Sequence, residues 1–505
     1  MSSEAMISDL MSSESFAAIG GDEEPRGSCK PVCVDLDGTL VNTDLLAEGF
    51  LSLVGSWQIL PCLSRLVRSG RAAFKEAIAT RAVLAPELLP YNLDVIEKLE
   101  ALRHSGRNIV LVTAADQNVA RKIADHLGIF DEVIASDGIV NLKGKAKARV
   151  LQERFGTHGF DYIGNDRCDL PIWEIADRIG LVNASKGLAY KARRLRRVDF
   201  ELTSRGNMFA SALRAMRPHQ WSKNLLVFVP LMASMSLHDY QGAMAALLVF
   251  ASLCATASAI YLINDLLDLP SDRRHPRKRN RPLASGALPL TTGAVLSGVL
   301  IVAGYGLASL ADGVALVMLY SFVALSYSLF LKKYPLVDVF VLAALYTLRV
   351  VIGGVVSGHS VTVWLLAFSG FTFIGLAMVK RVAELAQADS KVSETAVARR
   401  GYRKGDRPVL FAAGSAAAVA SSVVLALYVS SDTAFQHYRS PEILLGLVPL
   451  VLFWELRLWL STERGNMHDD PIVFATRDWV SWIVGASFLG LMVAAASFDV
   501  LPSEQ

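Results

Sequence analysis

From about residue 224 onward the chain is a succession of apolar stretches, each roughly 17–25 residues long and separated by short polar connections, and this limits the fold more than any other feature. In a bilayer each backbone amide must find its partner within its own segment, so stretches of that length must be helices. Candidate spans fall near 224–237, 240–262, 287–310, 313–331, 336–357, 361–379, 409–431, 442–461 and 479–498, about nine helices, the first of them short and starting near Trp221. Up to about residue 200 the sequence is mixed and charged, which predicts a water-soluble domain ahead of the membrane bundle. Averaged over 505 residues the two regimes give 52% hydrophobic, a figure that hides the division.

The polar connections alternate in charge. One set carries Arg273, Arg274, Arg277, Lys278, Arg279 and Arg281, then Lys332 and Lys333, then Lys380, Arg381, Arg399, Arg400, Arg403, Lys404 and Arg407, then Arg464 and Arg477; the other set carries only Arg439. Positive charge accumulates on the cytoplasmic side, which places the first set there, together with the basic stretch 186–211 and the soluble domain, in a multi-pass inner-membrane protein. The net charge of +3 decides nothing by itself, since what matters is which loops carry it; membrane lipid, and no nucleic acid, is the expected partner. Five cysteines form no CxxC pair, so neither a zinc site nor a disulfide framework is indicated. Residues 1–28 are acidic, lack the order of a signal peptide and read as a disordered leader.

In the soluble part, the run Val32–Val34 reads as a buried strand ending in Asp35-Leu36-Asp37-Gly38-Thr39, two carboxylates able to share a magnesium ion and a phosphate. After a helical stretch at about 42–104, Thr113 ends a second strand in RNIVLVTAAD; Lys143 and Lys145 follow, and FDYIG runs into Asn165-Asp166-Arg167-Cys168-Asp169. Open α/β sheets carry their sites at such strand ends. This conjunction resembles the haloacid dehalogenase-like phosphatase superfamily over about residues 29–185, an α/β Rossmann-like fold with a helical cap. The resemblance implies that Asp35 is the nucleophile, Asp37 the general acid/base, Thr113 a phosphate ligand and Lys145, ahead of Lys143, the balancing cation. Mg²⁺ would be held by Asp35, the Asp37 carbonyl and the acids at 165–169. Asn165 stands where the family has aspartate, so either Asp166 supplies the charge or metal affinity is reduced.

The stretch YLINDLLDLPSDRRHPRKRNRPLASG carries nine charges, and at about 3 kcal/mol each it could not cross hydrocarbon without a cost above roughly 25 kcal/mol. On one helix Asn264, Asp265, Asp268 and Asp272 would fall within about 100° of arc, with Pro270 threatening continuity before Asp272. Carboxylates so crowded call for a cation, and Mg²⁺ bridging to a diphosphate satisfies them. NDxxDxxxD followed by RxRPLASG resembles the UbiA-like intramembrane prenyltransferases over about residues 212–498, an all-α multi-pass bundle. The resemblance implies that these four residues bind Mg²⁺ and the donor diphosphate, with Asp265 and Asp268 central to catalysis.

Lys380, Arg381 and Glu384 repeat the spacing of Asn264, Asp265 and Asp268 with cations at the first two places. Prenyltransferases of the superfamily have a second aspartate motif here, whereas cations suit a phosphate held without metal. With RPHQWSKN at 217–224 and Tyr327…Lys332…Asp338, this resembles the decaprenyl-phosphate phosphoribosyltransferases, which implies phosphoribosyl pyrophosphate as donor and a polyprenyl phosphate as acceptor. Lys223, Arg279, Arg281, Tyr327, Lys332, Lys380 and Arg381 are the candidate substrate ligands, though each cation also suits an ordinary interfacial role. The rival expectations are prenyl transfer to an aromatic acceptor and a non-catalytic lipid-binding bundle. Oligomeric state and lipid chain length are not legible.

Overall fold

The computed structural model describes residues 30–498 apart from 55–56, 58, 83, 138–140, 205, 236–237, 387–400 and 468–469, so the expected leader and the cations Arg399 and Arg400 lie outside the described residues. The chain divides into two compact units, one of Met1–Ala212 with Asp265–Ala294, the other of Leu213–Asn264 with Val295–Gln505.

The first unit is built on six parallel strands: β1 Val32–Val34, β2 Ile109–Asp116, β3 Glu132–Ser136, β4 Asp161–Gly164, β5 Arg178–Val182 and β6 Arg197–Leu202, in the order β3-β2-β1-β4-β5-β6. Parallel neighbours need crossover helices, which cover the sheet and leave strands such as IVLV of β2 apolar on both faces. The order runs one way from β1 through β3 and the other way from β4 through β6. The crevice at the carboxyl ends of β1 and β4 is therefore the topological switch point. Helices Leu45–Leu53, Ile59–Arg81 and Leu93–His104 fill the interval between β1 and β2, as expected of a helical cap.

The stretch expected as a basic linker at 186–211 is a correction. Residues Lys186–Leu195 form a helix and Arg197–Leu202 the edge strand β6. Its many cations read as solvated chain, yet Leu188, Ala189 and Ala192 make a buried stripe, with the basic side chains on the outer face.

In the membrane part, seven helices among the described residues are long and apolar enough to cross a bilayer: Tyr240–Leu267, Leu290–Ser309, Val337–Ser357, Val363–Ala386, Arg407–Val429, Pro441–Glu463 and Trp479–Ser497. Val314–Leu329 is apolar but shorter. The expected span at 224–237 is not one: Pro218–Phe228 is 3₁₀ and Val229–Ala233 a short helix. Pro230 cannot donate the amide that a continuous helix needs, and Lys223 and Asn224 are buried polar groups rather than lipid-facing ones. Gly353 lets this segment approach Val337–Ser357, since a Cβ there would lie 2.0 Å from the Val227 carbonyl oxygen.

Candidate active sites

The turn after β1 and the turn after β4 enclose a cavity of about 360 Å³, with Asp35, Asp37, Lys147, Asn165 and Asp169 among its walls. The nucleophile candidate Asp35 is buried, and its Oδ1 accepts from Lys147 Nζ at 2.7 Å. The same ammonium donates to the Val112 carbonyl at 3.2 Å and the Tyr162 hydroxyl at 3.1 Å. Burial alone would strip Lys147 of its proton, but Asp35 and then Asp169 outweigh it and hold its pKa above the usual lysine range. The lysine at this site is thus Lys147. The expected Lys145 is exposed at the start of helix Lys145–Phe155, and Lys143 reaches only the cavity wall.

Asp37 Oδ1 accepts from the Leu45 amide at 2.9 Å, at the mouth of helix Leu45–Leu53. Burial first, then the Asp44 charge, pushes its pKa up to about 7. Thr113 is fully buried and its Oγ1 accepts from the Ala115 amide at 3.0 Å, and the last residues of β2, Ala114, Ala115 and Asp116, form the cavity wall there. Asp169 Oδ2 accepts from the amides of Asn165 and Asp166, both at 3.0 Å, and its Oδ1 from the Tyr162 hydroxyl at 3.1 Å. Its work is to hold the turn that presents Asn165. Asp166 is exposed and caps its own turn, accepting from the Arg167 amide at 2.6 Å and from Cys168 Sγ at 3.3 Å. Asn165 and Asp166 both line the cavity.

In the acidic motif, helix Tyr240–Leu267 carries Asn264 and Asp265 and stops; a second helix, Leu269–Arg274, carries Asp272. The single continuous helix expected through the motif is therefore broken at Asp268, one residue earlier than Pro270 suggested, because the proline starts the second helix. The acids still converge. Arg281 Nη1 meets Asp265 Oδ1 at 3.0 Å and Asp272 Oδ2 at 2.5 Å. Asn264 Nδ2 donates to Ser328 Oγ at 2.9 Å. Asp268 and Lys332 are half-buried, and Arg279 is exposed.

In the second unit, Lys223 and Lys380 both reach Asp470 Oδ2, at 2.7 and 2.9 Å, and Tyr346 donates its hydroxyl to the same carboxylate at 3.1 Å. Lys223 is pushed down to about 8 by burial first, with the neighbouring cations adding to it against the pull of Asp470. Arg349 is buried nearby in sequence terms to nothing charged, yet its donors meet Asn224 Oδ1 at 2.9 Å, the Leu345 carbonyl at 2.6 Å and the Tyr320 hydroxyl at 2.7 Å. Arg381 is fully buried and meets Asp338 at 2.5 Å, Glu384 at 2.6 Å and the Tyr327 hydroxyl at 2.8 Å, contacts that tie both Arg381 and Tyr327 to neighbouring helices. Lys147, Arg349, Tyr346 and Asp470 were missed. Arg349 had a signal, a lone cation inside an apolar span, which is a functional candidate by default.

A profile of the UbiA prenyltransferase family matches residues 226–470, and one of haloacid dehalogenase-like hydrolases matches residues 32–174. An uncharacterized protein, y4nM, of Sinorhizobium fredii is 38% identical over 92% of this chain and 91% of its own. The nodulation protein NoeC of Azorhizobium caulinodans is 34% identical over 54% of this chain and 90% of its own. The decaprenyl-phosphate phosphoribosyltransferase of Corynebacterium glutamicum is 36% identical over 35% of this chain and 56% of its own. The chain belongs to the UbiA prenyltransferase family. Its UbiA domain is preceded by a haloacid dehalogenase-like hydrolase domain, and the whole is a multi-pass membrane enzyme.

Both families use Mg²⁺, and the side chains present fit it. In the UbiA motif two carboxylates lie within reach of one guanidinium, hence of one cation, and all donors are hard oxygens. In the hydrolase domain Asp35 and Asn165 supply side-chain oxygens from the wall of one cavity. Among the described residues no three acidic, histidine or cysteine side chains gather tightly enough to hold a metal alone. Magnesium in either place would share its shell with phosphate oxygens, its usual habit.

Proposed function

We propose that the UbiA domain transfers 5-phosphoribosyl from phosphoribosyl pyrophosphate to a polyprenyl phosphate at the cytoplasmic membrane face. The hydrolase domain then removes the 5-phosphate, leaving polyprenyl-phosphoryl ribose for cell-envelope glycans. The observation that carries the reading is the convergence of Lys223 and Lys380 on one carboxylate, at the position where an aspartate motif would serve a second metal. Cations that close on Asp470 are arranged to close on a phosphate, and an aromatic acceptor would give them nothing to bind. Likeness to the Corynebacterium glutamicum transferase supports the same choice of substrates.

Magnesium, when bound, would neutralise the diphosphate as it departs. Asp265, Asp268 and Asp272, with Asn264, would hold it, and Arg281 would turn from the acids to the phosphates. The C1–O bond to diphosphate breaks with its electron pair leaving on oxygen, and the lipid phosphate oxygen forms the new bond to C1. The acceptor is already an anion, so no base is needed; Lys223 and Lys380 position it. In the second step an Asp35 oxygen attacks the 5-phosphorus while Asp37 delivers a proton to the departing ribose oxygen. Water then attacks the aspartyl phosphate and returns that proton to Asp37. Lys147, donating to Asp35 Oδ1, keeps the nucleophile aimed.

Membranes supplied with labelled phosphoribosyl pyrophosphate and polyprenyl phosphate test both steps. Asp265→Ala should abolish labelled lipid, and Asp35→Asn should stop at the 5-phosphorylated product. Label that enters lipid only from polyprenyl diphosphate and an aromatic acceptor would refute the reading.

A further inference from the structure

The stretch Asp265–Ala294 shares a compact unit with the hydrolase domain, and three anchors fix it there. Arg273 grips Glu48 through Nη1 and Nη2 at 2.8 and 2.6 Å, both side chains only 6% exposed, while its Nε donates to the Ala284 carbonyl at 2.9 Å. A dry two-pronged pair of this kind fixes register and is broken at a large cost. Gly286, at φ +76°, passes so near Asn42 that a Cβ would lie 2.4 Å from its carbonyl oxygen. Helix Leu269–Arg274 packs on the 3₁₀ turn Pro86–Leu88. Beyond these anchors Pro289, Leu290 and Thr291 enter the wall of the cavity that holds Asp35 and Lys147, beside the cap residues Leu45, Ile78 and Leu84. The apolar helix Leu290–Ser309 begins at that wall.

We propose that Pro289–Thr291 is the substrate-selecting wall of the hydrolase cavity, positioned by the Arg273–Glu48 pair, and that it adapts this cavity to a lipid-linked phosphomonoester. The inference rests on the dephosphorylation reading above and deepens it by naming what chooses the substrate. A phosphate bound at Asp35 needs only the polar part of the lining. The apolar part, Leu45, Leu46, Ile78 and Leu84 with Pro289 and Leu290, is wasted on a small hydrophilic ester and suits a molecule whose other part is hydrocarbon. Arg273 and Glu48 touch no substrate; they are positioning residues.

The experiment uses the full chain in proteoliposomes and two probes, p-nitrophenyl phosphate and synthetic polyprenyl-phosphoryl 5-phosphoribose. Arg273→Ala should raise KM for the lipid probe about tenfold with kcat within twofold, and leave p-nitrophenyl phosphate hydrolysis within twofold. Gly286→Ala, which displaces the wall by another route, should do the same. The exchange Glu48→Arg with Arg273→Glu should restore the lipid KM. A parallel loss on both probes, or no change on either, overturns the proposal while leaving the dephosphorylation reading intact. Wild-type protein that hydrolyses p-nitrophenyl phosphate but not the lipid probe overturns both.

Discussion

Lys143, Lys145 and Lys147 follow one another at two-residue spacing, and the last of them meets Asp35. Two residues turn a helix by about 200°, so with the helix starting at Lys145 one lysine faces solvent and the other the sheet. Lys147→Met should lower phosphomonoester hydrolysis at least a hundredfold, about 2.7 kcal/mol, because it leaves Asp35 buried without its cation, whereas Lys145→Met should stay within twofold. Steady-state rates on one soluble ester decide between them. Asp35 and Asp37 were legible because a strand end and a two-residue spacing define their place without further knowledge. The lysine was not, since its choice depends on where a helix starts, and Gly144, at φ +57°, sets that start with a conformation that composition does not announce. Asp470 escaped because its partners Lys223 and Lys380 lie far away in sequence. Lys223 also gives a pH prediction. Its pKa is lowered, so the cation is present below about 8 and lost above it. KM for polyprenyl phosphate should therefore rise above about pH 8, and Lys223→Arg should flatten that limb.

Elements were legible where one period dominates. The apolar strands β1, β2 and β4 and the long spans read directly from their runs, and the spans agree to within a few residues for most. Misreadings came where charge or length outvoted periodicity: the basic helix and edge strand at 186–202, and the 218–233 segment. The second of these folds into 3₁₀ turns because its buried amide and ammonium need partners that a plain helix would turn toward lipid. Its close approach to helix Val337–Ser357 depends on Gly353. Gly353→Ala, with a methyl driven into the Val227 carbonyl, should cost about 1–3 kcal/mol and lower the melting temperature in detergent, while the same change at Gly298, where a Cβ meets nothing, should be neutral or slightly stabilising.

At the scale of the whole chain, a charged domain ahead of apolar spans was legible as a division, since it is written in composition, and the alternation of basic loops predicts that the hydrolase domain lies on the cytoplasmic side. A protease added to right-side-out vesicles should spare a tag placed at residue 30, and the same protease should remove it from inverted vesicles. The Arg281 contact with Asp265 and Asp272 has a further bearing on how the enzyme loads. With Arg281 set against two of its three carboxylates, the acidic motif at rest is partly neutralised and offers less to bare magnesium. On the proposed function, Asp265 and Asp272 would hold the metal of a metal-diphosphate chelate and Arg281 its phosphates, so that the two internal contacts of Arg281 would be exchanged for external ones. Such a motif would select the chelate over either component. Calorimetric titration with magnesium alone should then show no binding in the micromolar range, and Arg281→Ala should uncover it while weakening capture of the donor.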